Sequence, residues 1–257
     1  MSASQTVYVA VRAALWMLAV CLPTAAAVAA KPPAPLALAA GSRVGIVSLL
    51  DAEVTHFHAA RQVQGSFLKT YAVKWQGSAM LTDAVREQLS KMALVAVPLA
   101  PSDALSRGRE DCFLKANLAK ALSKECAAPY ALLAASERLA AVIVLGPGLN
   151  DSTHAQGSRR KDLPEYLRGW CVVSSEGDGG APVLLNLTEL LLIDTAPNAI
   201  AMVDREWGGT MTQPWLGYAA PANLKALPEQ QLDQLQPLYA GLIKQQANAL
   251  LGHLVSP

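Results

Sequence analysis

Residues 140–148 read AAVIVLGPG, six apolar residues, half of them β-branched, ending on Gly146-Pro147-Gly148. A run this short, closed by glycine and proline, predicts a strand buried on both faces. Two runs of the same kind lie upstream, Arg43–Leu50 (RVGIVSLL) and Leu94–Leu99 (LVAVPL). Between them the period changes: Ser78 can cap a helix whose apolar positions Leu81, Val85, Leu89 and Met92 fall on one stripe. Residues 101–139 are mostly helical in pattern, punctuated by Pro101 and Pro129. Buried strands separated by helices predict a small parallel sheet with helices packed on it.

Working outward, Gly169–Ser174, Val183–Asp194 and Ile200–Trp207 are apolar segments joined by Gly- and Pro-rich turns. They predict an antiparallel meander that extends the sheet. On the other side, extended stretches are expected near Val54–Val63 and Phe67–Trp75, the second with Tyr71, Val73 and Trp75 on one face. A connector over 208–228 leads to a closing amphipathic helix with the stripe Leu232, Leu235, Leu238/Tyr239, Leu242/Ile243, Ala247, Leu250/Leu251 and Leu254, which Pro237 should kink or divide. The fold class expected is α/β: one domain over 43–257 with a mixed sheet, parallel core strands plus an antiparallel meander.

Residues 1–30 have the three parts of a secretory signal peptide: Arg12 as the charge, an apolar run over 13–22, and small residues up to Ala30. Pro23 leaves the strongly apolar core short of the ~20 residues a membrane span needs. Lipidation at Cys21 is the rival address; Val20 fits a lipid-transfer site poorly. Residues 31–42 then form an extended leader, and the expected location is periplasmic.

The chain has 21 basic and 20 acidic residues; removing 1–30 takes Arg12 and no acid, so the charges balance. A neutral protein has no broad field to hold nucleic acid or an anionic membrane. No phosphate loop, dinucleotide fingerprint or zinc-finger spacing is present, and no cofactor is expected. Of the cysteines left after cleavage, Cys112 and Cys126 could pair in an oxidising compartment, with Cys171 a buried thiol. One straight helix over 112–126 would part their Cα atoms by ~21 Å, so the bridge requires a turn between them.

The polar stretch 149–165 leaves the carboxyl end of the 140–145 strand, where open α/β sheets bind ligands. It supplies Asn150, Asp151, His154, Arg159 and Arg160 as candidate ligand-binding residues. The bland alternative is a solvated surface loop. His56 and His58, two apart on an expected strand, share a face and could hold a metal, with Asp51 and Glu53 just upstream. In that reading Phe57 faces the core and the histidines face solvent.

Gly148-Leu149-Asn150-Asp151 resembles one block of the SGNH esterases, which implies an oxyanion-binding role for Asn150. The family's nucleophile and its Asp-x-x-His pair are missing: the first strand ends Ser48-Leu49-Leu50-Asp51, and His253 has Leu250 three positions earlier. The layout as a whole, with RVGIVSLL, AVIVLG and the hairpin LLLIDTAPNAIAMVD, resembles a group of uncharacterised exported proteobacterial proteins. It has a looser fold-level likeness to the α/β domains of envelope-assembly proteins. These resemblances imply a non-enzymatic periplasmic binding or envelope-accessory protein, partnered by an envelope protein or a small ligand. The alternative is an esterase-like hydrolase using the loop 146–161.

Overall fold

The computed structural model describes residues 35–106, 122–148, 167–176, 181–196, 200–208, 212–221, 223–252 and 254–255. Its elements in chain order are β1 (Leu36–Ala37), β2 (Arg43–Ser48), β3 (Glu53–Ala59), β4 (Phe67–Ala72), α1 (Gly77–Lys91), β5 (Val95–Pro98), α2 (Asp103–Ser106), α3 (Lys124–Glu137) and β6 (Leu139–Pro147). There follow β7 (Gly169–Ser175), β8 (Val183–Asp194), β9 (Ala201–Trp207), β10 (Thr212–Pro214), α4 (Glu229–Asp233), α5 (Leu235–Leu251) and β11 (Leu254–Val255). The expected α/β class with a mixed sheet, packed helices and a C-terminal helical segment is what forms.

The three apolar runs lie side by side, β2 parallel to both β5 and β6; β2 and β6 are buried, whereas β5 is the edge strand and leaves Val95 exposed. The meander is also present, and β8 is its hub. This twelve-residue strand is buried from Leu184 to Ile193, because helices and loops cover both of its faces. Its second half pairs antiparallel with β6 and β9, and its first half with β7 and β10. The nine strands therefore form two half-sheets sharing one strand: β5-β2-β6-β8-β9 and β4-β3-β7-β8-β10. The hairpin β3–β4 belongs to the same sheet, and β3 joins β7 in parallel.

On one face a single core runs across both halves, covered by α1 and α5; it includes Ile46, Val54, Ile143, Trp170, Leu184 and Leu192. The opposite face carries two separate cores. One gathers Val142, Val144, Leu191 and Met202 with Leu105 of α2 and Tyr130 of α3; the other gathers Leu167, Cys171, Leu185 and Leu187.

Three local expectations change. Ser78 does not cap α1; the helix starts two residues earlier, after Gln76, with no side-chain cap. Gly77 explains the start, since a Cβ there would lie 2.6 Å from Ser48 Oγ and 3.1 Å from the Trp170 ring, so only glycine lets the first turn press on β2. The strand expected up to Trp75 ends at Ala72, although Tyr71 and Trp75 are buried as the alternation implies. The closing helix divides at Gln234, which puts Pro237 in the first turn of α5, where a missing N–H costs no helical bond. Leu254 lies beyond the helix, in β11, which pairs parallel with β1 and so ties the two ends of the described chain together.

Gly208 sits where β9 ends against β8: a Cβ there would lie 2.6 Å from the Asn186 carbonyl oxygen. That neighbour is backbone and cannot rotate away. Gly208→Ala should therefore cost about 1–3 kcal/mol through overpacking, read as a lower urea midpoint at unchanged slope.

Candidate functional site

The two half-sheets diverge where β2 and β6 end and β3 and β7 begin. A cleft of about 360 Å³ opens at this seam, lined by Leu50, Asp51, Glu53, Thr55, Leu68, Thr70, Pro147, Leu167, Arg168, Gly169 and Trp170. Its size lies within the range of small-molecule sites, and it stands at the carboxyl ends of parallel strands, where the chain changes direction.

Each polar group has a structural reason to be there. Asp51 lies on the short link that carries the chain from β2 in one half-sheet to β3 in the other. Glu53 and Thr55 alternate along the same face of β3, and Thr55 is opposite Thr70 of β4, with their hydroxyl oxygens 3.3 Å apart. Arg168 immediately precedes β7, and its carbonyl accepts the Cys171 thiol at 3.4 Å. Gly169 adopts φ +70°, a left-handed conformation that side chains disfavour, and this turns the chain into β7 at the cleft wall. The lining of the cleft thus combines Asp51, Glu53, Thr55, Thr70 and Arg168 with the apolar Leu50, Leu68 and Leu167.

Of the residues expected to form a site, Asn150, Asp151, His154, Arg159 and Arg160 lie outside the described residues. The residues flanking them do not: Pro147 and Leu167 both line the seam cleft. Asp51 and Glu53 were legible as carboxylates, but as partners of the histidines. Thr70 and Arg168 carried no signal, because only pairing between distant segments brings them there. The rule applied to the strand at 140–145, that its carboxyl end makes a site, would have found Asp51 at the end of 43–50.

The histidines depart from expectation. His56 and His58 face inward, at 0 % and 6 % exposure, and Phe57 points to the opposite face. Alternation alone could not say which face is inward, since the two large apolar residues of β3 lie on opposite faces: Val54 joins the main core, and the half-buried Phe57 packs on the one containing Cys171 and Leu185. The same alternation puts Glu53 on the other side of the strand from both imidazoles, so the supposed ligand set is divided. Among the described residues no three His, Cys, Asp or Glu side chains gather closely enough to hold a metal ion.

What the histidines share is Ser174 of β7. His56 Nε2 and His58 Nδ1 each stand 2.8 Å from its Oγ. The Phe67 ring stacks on His58 and meets His56 edge-on, both at 5.2 Å. Burial, and then the neighbouring His58 charge, lowers the His56 pKa to about 4. A serine touching two imidazoles invites a nucleophile–base reading, but neither described cleft is lined by any of the three.

A second cleft of about 380 Å³ lies between the end of β4 and α4, lined by Val73, Lys74, Leu227, Glu229 and Asp233 among others. Lys74 and Glu229 form an ion pair with each other there. Cys126 is disulfide-bonded, while Cys112 lies outside the described residues. Cys171 is a buried thiol whose pKa burial raises to about 12, which leaves it chemically inert. Among the described residues no helix is long and apolar enough to cross a membrane.

No family model matches the chain, and no curated protein matches it. A solved structure, that of a hypothetical protein from Chlamydia trachomatis, aligns with 82 % of this chain and 99 % of its own at 10 % sequence identity and a TM-score of 0.32. A likeness that distant carries no argument about fold or activity.

Proposed function

We propose that this chain is an exported, non-enzymatic binding protein of the periplasm that holds a small zwitterionic ligand in the seam cleft. The observation that carries this reading is the cleft itself, with Asp51, Glu53 and Arg168 in its lining. Carboxylates accept hydrogen bonds from an ammonium group, and a guanidinium donates to a carboxylate, so an amino acid or short peptide matches both. The threonine hydroxyls can serve either end, and the leucine walls suit an aliphatic side chain. Export is supported by the signal-like residues 1–30, and a neutral charge balance fits a small-molecule ligand better than a polyanion.

Titration calorimetry of the purified protein against free amino acids and dipeptides tests the site. A binder should emerge whose affinity falls about tenfold or more in Glu53→Gln, the loss of one hydrogen bond to a charged group. Equal affinity in the wild type and in Glu53→Gln would sink the assignment, as would silence across the panel. Export is tested separately: N-terminal sequencing of the protein recovered from a bacterial periplasm should begin at Lys31.

A further inference from the structure

The β3–β4 hairpin forms the outer edge of its half-sheet, and on the inward face of that hairpin lies the His56–Ser174–His58 cluster. One serine hydroxyl, with a single proton to give and two lone pairs, bridges both imidazoles and so ties β3 to β7 by side chains as well as by backbone. His56 Nδ1 is buried with no hydrogen-bond partner. A neutral ring tolerates this by leaving a bare lone pair there. A protonated ring would have to bury an N–H with nothing to accept it, which costs far more.

The charged surroundings push the same way. On β4, Lys69 is directly opposite His56, and it donates to the Lys225 carbonyl. From the connector before α4, the Lys225 ammonium lies 5.5 Å from the centre of the Phe67 ring that covers both histidines. On β7 the only polar group facing the cluster within the strand is Ser174. Among the described residues, Glu176 is exposed just past the strand end and accepts the Arg61 amide at 3.1 Å. Once His56 is protonated, His56, Lys69 and Lys225 would thus bring three positive charges together on this face.

We propose that this cluster is an acid-released catch, holding the β3–β4 hairpin onto β7 at neutral pH and freeing it as His56 takes up a proton. The sign follows from linkage. The opened state takes up a proton near the ordinary histidine value of 6.5, whereas the closed state resists it until about 4, so acid favours opening throughout that window. Because Glu53, Thr55 and Thr70 lie on the other face of the same hairpin, release would also take apart one wall of the seam cleft. The catch itself is independent of what that cleft binds.

Hydrogen exchange of the purified protein, corrected for intrinsic rates, tests it at pH 7 and pH 5. Amides of β3 and β4 should lose about twentyfold in protection, the linkage expected for one proton, while β2 and β6 change much less. In His56→Gln, whose amide can still reach Ser174 but cannot titrate, that loss should disappear. An unchanged loss in His56→Gln, or a parallel loss in all strands, would overturn the proposal. If His56→Gln does not fold, the wild-type imidazole resonances decide: His56 titrating near 6.5 with the hairpin still protected rejects the catch, and a transition tied to loss of protection upholds it.

Discussion

Glu189→Ala should lower the unfolding free energy by about 3–5 kcal/mol, the usual cost of removing one member of a buried ion pair. Glu189 is fully buried on β8, and Arg205 Nε of β9 stands 2.9 Å from its Oε1, with the arginine side chain only 18 % exposed. The carboxylate is opposite Gly146 on β6 and Trp207 on β9. Along its own face it falls between Leu187 of one core and Leu191 of the other, so it marks the boundary between them. Truncation would take from the guanidinium, held in a poorly hydrated place, the carboxylate that faces its Nε. Removing both charges, as in Glu189→Leu with Arg205→Met, should recover most of the loss. Guanidinium unfolding of the three variants is the measurement. A loss below about 1 kcal/mol for Glu189→Ala, or no recovery in the double variant, would mean the pair does not act as described.

Gln246→Leu should cost about 3 kcal/mol, even though leucine is the better residue for a core by hydrophobicity alone. Gln246 belongs to the buried stripe of α5 and joins the helix to the sheet. Its Nε2 donates to the Glu206 carbonyl at 2.7 Å, and its Oε1 accepts from Asn186 Nδ2 at 3.1 Å. The Thr188 hydroxyl stands 3.0 Å from the same Oε1 and 2.8 Å from Asn186 Oδ1. Leucine supplies none of these bonds and strands the Asn186 amide in a dry interior. The triple variant Asn186→Leu, Thr188→Val, Gln246→Leu removes the side-chain network together and should be closer to wild type than Gln246→Leu alone. Urea midpoints compare them. Additive losses across the three sites would show that the groups do not form one network.

Neither buried group could be read from the chain, and the reason is the same for both. Hydrophobic patterning identifies which residues prefer to be inside, and it found the strands at 43–48, 95–98 and 139–147 and the stripes of α1 and α5. Polar residues within those patterns, Gln246 in α5 and Glu189, Asn186 and Thr188 in β8, look like exceptions until their partners are known. Those partners come from other strands or from a helix tens of residues away. The seam cleft was half legible on the same grounds. Asp51 follows directly from the end of a buried strand, whereas Thr70 and Arg168 depend on β4 pairing with β3 and on β7 beginning beside Pro147. The orientation of β3 was the clearest failure. Alternation sorts a strand into two faces without saying which is inward, and in β3 Val54 and Phe57 compete for the core from opposite sides.

The shared strand β8 also bears on how such a protein can vary. β6 leaves its pairing at Pro147, opposite Thr188, and β7 takes up the next position at Gly169, opposite Leu187. Two strands twenty-odd positions apart in the chain thus occupy consecutive rungs on one edge of β8. The anchors on either side are set by the ladder and not by whatever joins them. Residues 149–166 can therefore change in sequence or number under selection while β6, β7 and β8 keep the register that their own pairing sets.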